Sequence, residues 1–189
     1  MYLPADKSAM RRAFKAKRDD YVAKLPNTDA AISFSALPSP LRSLFSAAKT
    51  VAAYIAIGSE ANPRALLRFA HDAGCMTALP HVTGRAAPMC FRQWQMTDPL
   101  IAGPFGLQQP IADAPQVTPD VILVPLVAFD RRLNRLGQGA GHYDRALSII
   151  DNVIAIGVAW SVQEADLVPA DPWDIPLSAI LTEKEWISR

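Results

Sequence analysis

The fold class of this chain follows from Arg135-Leu-Gly-Gln-Gly-Ala-Gly-His-Tyr-Asp144, a segment in which three glycines alternate with other residues. Before it lies the apolar run Val121-Ile-Leu-Val-Pro125, which is typical of a buried strand, and residues 144–150 have the composition of a helix. A strand, a glycine-containing loop and a helix bring backbone N–H groups close to phosphate, because glycine permits close approach and positive φ. The segment therefore predicts a nucleotide loop.

The loop matches neither of the two common phosphate-binding motifs. No Lys-Ser or Lys-Thr pair follows the glycines, as a Walker loop requires, and the dinucleotide fingerprint needs a wider spacing between its first and third glycines. A tight strand-to-helix turn without a ligand is therefore an alternative interpretation. The neighbouring Arg131, Arg132 and Arg135 on one side, and Tyr143 and Asp144 on the other, favour phosphate binding.

Length and composition indicate one globular domain, which we expect to cover residues 1–189. Half of the 189 residues are hydrophobic, and the length is well above the roughly 40 residues that a self-sufficient core needs. A formal net charge of +1 argues against a general role on nucleic acid or on a membrane surface. The start of the chain is unlike a signal peptide, and no apolar run approaches the roughly 18 residues of a membrane span. Because Cys75 and Cys90 lie in apolar contexts, we expect free thiols and a cytoplasmic protein.

The first predicted helix, residues 6–21, carries two adjacent stripes. At about 100° per residue, four cations fall on one stripe and three apolar side chains on the next. The cations are Lys7, Arg11, Lys15 and Arg18, and the apolar residues are Met10, Phe14 and Tyr21. Such a helix can pack on the body of the protein while its cations face a cleft, although a merely solvated basic face is the alternative.

Strands and helices alternate along the chain, which predicts a three-layer α/β/α fold with a mainly parallel, Rossmann-like central sheet. Predicted strands cover residues 50–57, 76–79, 89–94, 121–125, 152–159 and 179–181, and the remaining predicted helices cover residues 28–37, 41–48, 64–73 and 144–150. Ligands in such folds bind at the carboxyl ends of the strands. Because Glu60 and the glycine loop both follow strand ends, we expect them to share one crevice.

Four segments in one order along nearly the whole chain carry a family resemblance. They are Lys7-x-x-x-Arg11; Gly58-Ser-Glu60; Phe129-Asp130 with Arg135-Leu-Gly-x-Gly-x-Gly-x-Tyr-Asp144; and Val168-Pro-Ala-Asp-Pro-Trp-Asp174 with Leu181-Thr-Glu183. Together these segments resemble the 5-formyltetrahydrofolate cyclo-ligase family, also called 5,10-methenyltetrahydrofolate synthetase. The third segment is the most specific.

This chain also differs from the family's usual pattern. His142 replaces the first tyrosine of Tyr-Tyr-Asp, and Leu133 replaces a glycine. Asn62-Pro63 replace an acidic residue and a threonine, and Trp173 replaces a small polar residue or histidine. None of these differences removes an expected charge from the phosphate or metal site.

The resemblance implies ATP- and Mg²⁺-dependent cyclisation of 5-formyltetrahydrofolate to 5,10-methenyltetrahydrofolate, with release of ADP and phosphate. Phosphoryl transfer to the formyl oxygen would activate a poor electrophile, and N10 of the same molecule would then close the ring. The expected partners are therefore small molecules, ATP and a reduced folate, with no nucleic acid and no membrane. A monomer is the expected state.

The same resemblance assigns roles to individual residues. It assigns catalysis to Arg11, Arg135 and Asp144, and magnesium binding to Asp144 and Asp174. It assigns ATP binding to Lys7, Arg11, Arg135, Leu136, Gly137, Gln138, Gly139, Ala140, Gly141, His142 and Tyr143. It assigns folate binding to Ile55, Glu60, Phe105 and Tyr143, with the Glu60 carboxylate accepting hydrogen bonds from the pterin.

Other interpretations stay open at this stage. Asp144 has the position of a helix N-cap, Asp174 that of an ordinary loop carboxylate, and Ile55 and Phe105 those of core residues. A sugar-phosphate isomerase or CoA-transferase relative would share the α/β/α architecture without needing ATP. A non-enzymatic nucleotide- or RNA-binding module would use the basic stripe, although the balanced charge argues against it.

Overall fold

The computed structural model describes residues 4–26 and 33–189. Its α-helices in these ranges are α1 (Pro4–Lys24), α2 (Ser39–Ala47), α3 (Arg64–Asp72) and α4 (His142–Leu147), and two short 3₁₀ turns lie at Pro104–Gly106 and Ser161–Gln163. The strands are β1 (Thr50–Ala52), β2 (Met76–His81), β3 (Cys90–Gln93), β4 (Ile101–Ala102), β5 (Gln108–Gln109), β6 (Gln116–Val117), β7 (Val121–Pro125), β8 (Ala128–Phe129), β9 (Arg135–Leu136), β10 (Ile154–Val158), β11 (Ala179–Leu181) and β12 (Trp186–Ser188).

The main sheet has eight strands in the order β12-β11-β10-β7-β1-β2-β3-β6. Its central strands, from β11 to β2, are parallel to one another, and antiparallel strands close both edges. Central parallel strands are buried on both faces, which is why β7 and β10 are continuous apolar runs in the sequence. The mainly parallel sheet expected from the sequence is confirmed.

Alternation along β7 divides the apolar core between the two faces of the sheet. Val121 and Leu123 belong to one cluster, which includes residues of α2 and α3, whereas Ile122 and Val124 belong to a second cluster, which includes Ala146 and Leu147 of α4. This alternation is the period of two that any strand imposes on its side chains. It gives the three-layer arrangement that was expected.

The chain changes direction across the sheet beside β1, which fixes where a ligand can bind. After β1 the chain continues to β2 on one side, and it later returns to β7 on the other side. A parallel sheet opens a crevice at the carboxyl ends of two such strands. The turn after β1 and the segment after β7 both lie at this edge, so the topology brings Glu60 and the glycine loop together.

Several predicted elements differ from those observed. The strand predicted over residues 50–57 ends at Ala52, and beyond it the Tyr54 hydroxyl donates to the Ala61 carbonyl at 2.5 Å. The helix predicted over residues 28–37 lies partly outside the described residues, and its described part, residues 33–37, is not helical. The last helix begins at His142 instead of Asp144.

The segment between β7 and the glycines, expected to be a flexible loop, is a hairpin of β8 and β9. Its turn is built around Asp130, which is fully buried and accepts hydrogen bonds from the backbone N–H groups of Arg132, Asn134 and Val168. Leu133 completes the turn with a φ of 68°. A strand of only two residues is too short to produce a recognisable alternation of apolar and polar residues. Sequence patterns therefore do not predict this hairpin.

Candidate active site

The glycine loop, residues 137–141, lies against helix α1. Arg11 donates from Nε to the carbonyl oxygen of Gly137 at 2.8 Å, and its guanidinium extends over Gly139. A Cβ placed on Gly139 would lie 3.3 Å from Arg11 Cζ, and the φ of Gly139 is 102°. The absence of a side chain at Gly139 is therefore what lets the cation approach the backbone so closely.

The amide groups of the glycine loop are available to a ligand. Among the described residues, none accepts a hydrogen bond from the backbone N–H groups of residues 137–141. Gly141 is the N-cap of α4 with a φ of 67°, so the loop leads directly into a helix N-terminus. Free amides beside a cation are the arrangement expected of a phosphate cradle.

Arg135 and Asp144 form an ion pair at the base of the loop. Arg135 Nη2 lies 2.6 Å from Asp144 Oδ1, and the side chains are 4% and 25% exposed. Arg135 Nη1 donates to the Ile175 carbonyl, and the Ile175 amide donates to Asp144 at 3.2 Å. The pair thus joins β9, α4 and the tail of the chain. Since Gly141 occupies the N-cap position and no side chain caps it, the N-cap interpretation of Asp144 is wrong.

Lys7 joins the start of α1 to the tail. Its Nζ lies 2.7 Å from Oδ2 of both Asp171 and Asp174. Burial opposes the charge of Lys7, but the two carboxylates more than offset it and raise the pKa of Lys7 above its ordinary value. Asp174 is therefore not an isolated loop carboxylate. Asp171 is a partner that the sequence interpretation missed, although its spacing of three from Asp174 was visible.

Glu60 meets the glycine loop from the other side of the crevice. Its Oε1 accepts a hydrogen bond from Gln138 Nε2 at 3.1 Å, and its Oε2 accepts from the Ile57 amide at 3.1 Å. Burial raises the pKa of Tyr143, and the Glu60 carboxylate raises it further. The hydrogen bond from Gln138 shows that Glu60 and the glycine loop meet, as expected from the sequence.

The two apolar residues assigned to folate lie in different surroundings. Phe105 is 61% exposed, and its ring centroid lies 6.3 Å from that of His142, so the core interpretation of Phe105 is wrong. Ile55 is half-buried and lines a small cavity with Tyr54 and Trp94, at the point where the chain leaves β1. Only Phe105 therefore flanks the glycine loop directly.

His142, the first residue of α4, lies close to neighbouring arginines. Its Nδ1 lies 3.1 Å from Arg145 Nη2, and Arg145 also donates to the carbonyls of Ala140 and Arg85. Burial lowers the pKa of His142, and the charges of Arg145 and Arg85 lower it further. The imidazole therefore favours its neutral form at this position.

Three of the four cations in the basic stripe of α1 contact other parts of the protein. Lys7 contacts the tail, Arg11 contacts the glycine loop, and Arg18 donates from Nε to Ser59 Oγ at 2.8 Å. The apolar stripe packs on the body, as expected, with Met10 and Phe14 against Leu136 and Val168. For these three cations, the alternative of a merely solvated basic face is wrong. Arg131 does not join the site, because it pairs with Glu164 and Glu185.

The two carboxylates assigned to magnesium are close in the fold but paired with cations. Asp144 accepts from the amide of Ile175, the residue next to Asp174. Within residues 7–26 and 33–189, no group of three or more His, Cys, Asp and Glu side chains is placed to hold a metal. Mg²⁺ is usually held by one or two carboxylates together with water and substrate phosphates, and the donors present fit that pattern.

Two further expectations can be compared with the fold. Cys75 and Cys90 are free thiols, as expected, with Cys75 buried. Over residues 4–26 and 33–189, no helix combines the length and the apolar composition that crossing a membrane would take.

Comparison with known proteins gives one consistent result. A family model described as the 5-formyltetrahydrofolate cyclo-ligase family matches residues 4–183. A 5-formyltetrahydrofolate cyclo-ligase of Mycolicibacterium smegmatis is 34% identical over 97% of each chain. The structure of Aquifex aeolicus 5,10-methenyltetrahydrofolate synthetase has a TM-score of 0.78 and 32% identity, covering 96% of this chain and 92% of that one. A 5,10-methenyltetrahydrofolate synthetase from Mycoplasma pneumoniae has a TM-score of 0.67 and 25% identity, covering 94% and 99%.

Proposed function

The chain belongs to the 5-formyltetrahydrofolate cyclo-ligase family, and from that premise we propose that it converts 5-formyltetrahydrofolate to 5,10-methenyltetrahydrofolate at the expense of ATP. The observation that carries the proposal is the meeting of two half-sites. On one side, Arg11 lies over the glycine loop, whose amides have no acceptor among the described residues, and on the other, Glu60 contacts Gln138 of the same loop. One crevice can therefore hold a triphosphate end beside a folate.

The reaction needs activation of the formyl group. An N-formyl group is amide-like, so its carbon is a poor electrophile and its oxygen a poor leaving group. Transfer of the γ-phosphoryl group from ATP to the formyl oxygen releases ADP and makes that oxygen part of a good leaving group. N10 then attacks the formyl carbon and loses its proton, the C–O bond breaks, and phosphate departs. Because both reacting nitrogens belong to one molecule, the protein mainly supplies geometry and charge.

The phosphate half-site consists of the glycine loop and the cations of α1. The amides of residues 137–141 and the N-terminus of α4 would donate to phosphate oxygens. Arg11 lies against the loop, and Lys7 lies four residues before Arg11 on α1, which is about one helical turn. A hydrogen bond from such a cation contributes roughly 1.5–3 kcal/mol, and it can strengthen as charge shifts during phosphoryl transfer.

Asp144 and Asp174 would hold the magnesium ion that the family implies. When bound, Mg²⁺ neutralises phosphate charge and orients the transferring group. In the structure Arg135 pairs with Asp144, and Lys7 pairs with Asp174. The two cations neutralise the carboxylates and hold them in position. Arg135 acts here as a buried anchor of the loop, and its assignment to ATP and catalysis remains a proposal.

Glu60 and Tyr143 form the folate half-site. The Glu60 carboxylate can accept hydrogen bonds from the pterin amino and ring N–H groups, because each of its oxygens keeps a free lone pair beside its present partner. Tyr143 lies nearby in a protonated, donating form, since burial and Glu60 both raise its pKa. The exposed ring of Phe105, and Ile55 three residues after β1, would supply apolar contacts.

One assay tests the proposal. Purified protein, 5-formyltetrahydrofolate, Mg²⁺ and ATP are mixed, and the absorbance of methenyltetrahydrofolate is followed while each component is omitted in turn. We expect formation only in the complete mixture. Product formation without ATP, or none in the complete mixture, would refute the proposed activity. We further propose a cytoplasmic monomer whose partners are ATP and the folate, without nucleic acid or membrane.

A further inference from the structure

Arg18 is a nearly buried cation without a carboxylate partner in the described part of the chain. The residue is 6% exposed, and no ion pair involving it exists among the described residues. Its Nε donates to Ser59 Oγ at 2.8 Å, but its Nη1 is sealed from solvent and finds no acceptor in the described part of the chain. A buried guanidinium N–H without a partner is destabilising, because the group has lost its hydration without replacing it.

The position of Arg18 makes this unpaired donor informative. Ser59 belongs to the turn Gly58-Ser59-Glu60, and the Trp160 indole holds the Ser59 carbonyl at 2.9 Å. Burial raises the pKa of Tyr54 well above its ordinary value; Glu60 and Tyr143 raise it further, and Arg18 acts in the opposite direction. Because Ser59 directly precedes Glu60, its hydrogen bond to Arg18 places the guanidinium beside the turn that carries the proposed folate carboxylate.

The structure assigns to Arg18 the role of a further folate-binding residue, whose Nη1 donates to the carbonyl oxygen of the pteridine ring. This inference rests on the proposed function. The recognition edge of a 2-amino-4-oxopteridine presents amino and ring N–H donors next to that carbonyl oxygen. Glu60 offers acceptors for the donors, and Arg18 offers the donor that the carbonyl requires. A carboxylate and a guanidinium side by side are thus complementary to the whole edge.

Access of a ligand to Nη1 would require the turn that carries Ser59 to shift. Gly58 has a φ of 59°, and the space where its Cβ would lie is open within 4 Å. Ile57 and Gly58 are both exposed. Glycine adopts a wider range of backbone conformations than other residues, which would permit such a shift.

Equilibrium titration without ATP tests the role of Arg18 directly. 5-Formyltetrahydrofolate is titrated into the wild type, Arg18→Met, Arg18→Lys and the control Arg12→Met, which removes an exposed arginine that donates to Ser8 on the same helix. Loss of a charged hydrogen bond should raise the folate Kd of Arg18→Met about tenfold or more, with a smaller rise for Arg18→Lys. The affinity for MgATP, measured separately, should stay within about twofold in every variant, and Arg12→Met should match the wild type.

A second measurement is made on the wild type and uses only the conservative variant, Arg18→Lys, for assignment. In the wild type, the Arg18 side-chain N–H resonance, assigned by its absence in Arg18→Lys, should shift on adding the folate and not on adding MgATP. An unmoved resonance, a folate Kd unchanged in Arg18→Met, or equal weakening of folate and ATP would each overturn the role of Arg18. Failure of the wild type to bind folate at all would refute the proposed function itself, which is a distinguishable result.

Discussion

Arg135 and Asp144 are 2.6 Å apart across the base of the glycine loop, and the arginine is the more buried of the two. The pair connects the hairpin strand β9 with α4, and both residues also bond to the backbone of Ile175. This ion pair therefore stabilises the segment assigned to nucleotide binding. Both of its residues were also assigned to catalysis. The consequence is that substitutions at this pair should alter stability as well as turnover.

Removing Asp144 should leave the Arg135 charge uncompensated in a nearly buried site. We expect Asp144→Ala to lower the free energy of unfolding by about 2 kcal/mol, below the 3–5 kcal/mol typical of a fully buried pair, because Asp144 is partly hydrated. The double variant Arg135→Met/Asp144→Leu should recover part of this loss. Urea unfolding measures both, and additive losses in the double variant would show that the two residues are not coupled. Turnover should fall strongly in Asp144→Ala while the fold is retained.

Gly139 should not tolerate a side chain. Its φ of 102° strains any L-residue, and a Cβ would lie 3.3 Å from Arg11 Cζ. We expect Gly139→Ala to weaken ATP binding about tenfold by displacing Arg11 from the loop, while lowering stability by only about 1 kcal/mol. The matched control is Gly74→Ala, since Gly74 also has a positive φ, 90°, and nothing lies within 4 Å of a Cβ there. Equal ATP affinity of the two variants would separate Gly139 from the phosphate site.

Substitution of Glu60 should weaken the use of the folate and leave the use of ATP nearly unchanged. Replacing its carboxylate by the amide of Glu60→Gln preserves size but removes the charge that would accept from the pterin. We expect the KM for 5-formyltetrahydrofolate to rise about tenfold with little change in the KM for ATP, because a charge-assisted hydrogen bond is lost. Steady-state kinetics with each substrate varied in turn measure this split. A rise confined to the ATP KM would reverse the assignment.

At position 133, a glycine variant should be more stable than an alanine variant, which is the reverse of the usual order. Its φ of 68° favours glycine, yet its side chain is only 1% exposed and packs in the core. Both Leu133→Gly and Leu133→Ala should lose about 2–4 kcal/mol of stability, because burial is lost. The glycine variant should nevertheless be about 1 kcal/mol more stable than the alanine variant, since only alanine keeps the left-handed strain. Thermal unfolding of the pair decides this, and the opposite order would contradict the backbone geometry.

His142 should titrate below its ordinary range. Burial and then the charges of Arg145 and Arg85 lower its pKa from the usual 6.5. Because the folded pKa is lower than the unfolded one, the neutral form stabilises the fold, and this contribution is lost as the pH falls below about 6.5. NMR titration should show the depressed midpoint, and Arg145→Gln should raise it. A midpoint unchanged by Arg145→Gln would exclude the arginine as a cause.

Much of the local structure was predictable because it depends on short-range patterns. The apolar run Val121–Pro125 is β7 over the same residues, and α1 carries its cations and apolar side chains on the two stripes that its period demanded. The presence of Glu60 and the glycines just after strands was enough to expect a shared crevice. A periodicity of two or 3.6 residues records which face of an element is buried, and that information is present in the sequence itself.

Partnerships between distant residues were decided by the tertiary structure. Lys7 reaches Asp174 across 167 positions of sequence, and Arg18 reaches Ser59 across 41. The order of the strands and the angle at which α1 crosses the tail determine these contacts, and no local pattern encodes either. The positive φ of Leu133 has the same origin, because the buried carboxylate of Asp130 organises that turn from inside the fold. Charge and periodicity in the sequence thus identified the candidate groups, and packing determined which of them meet.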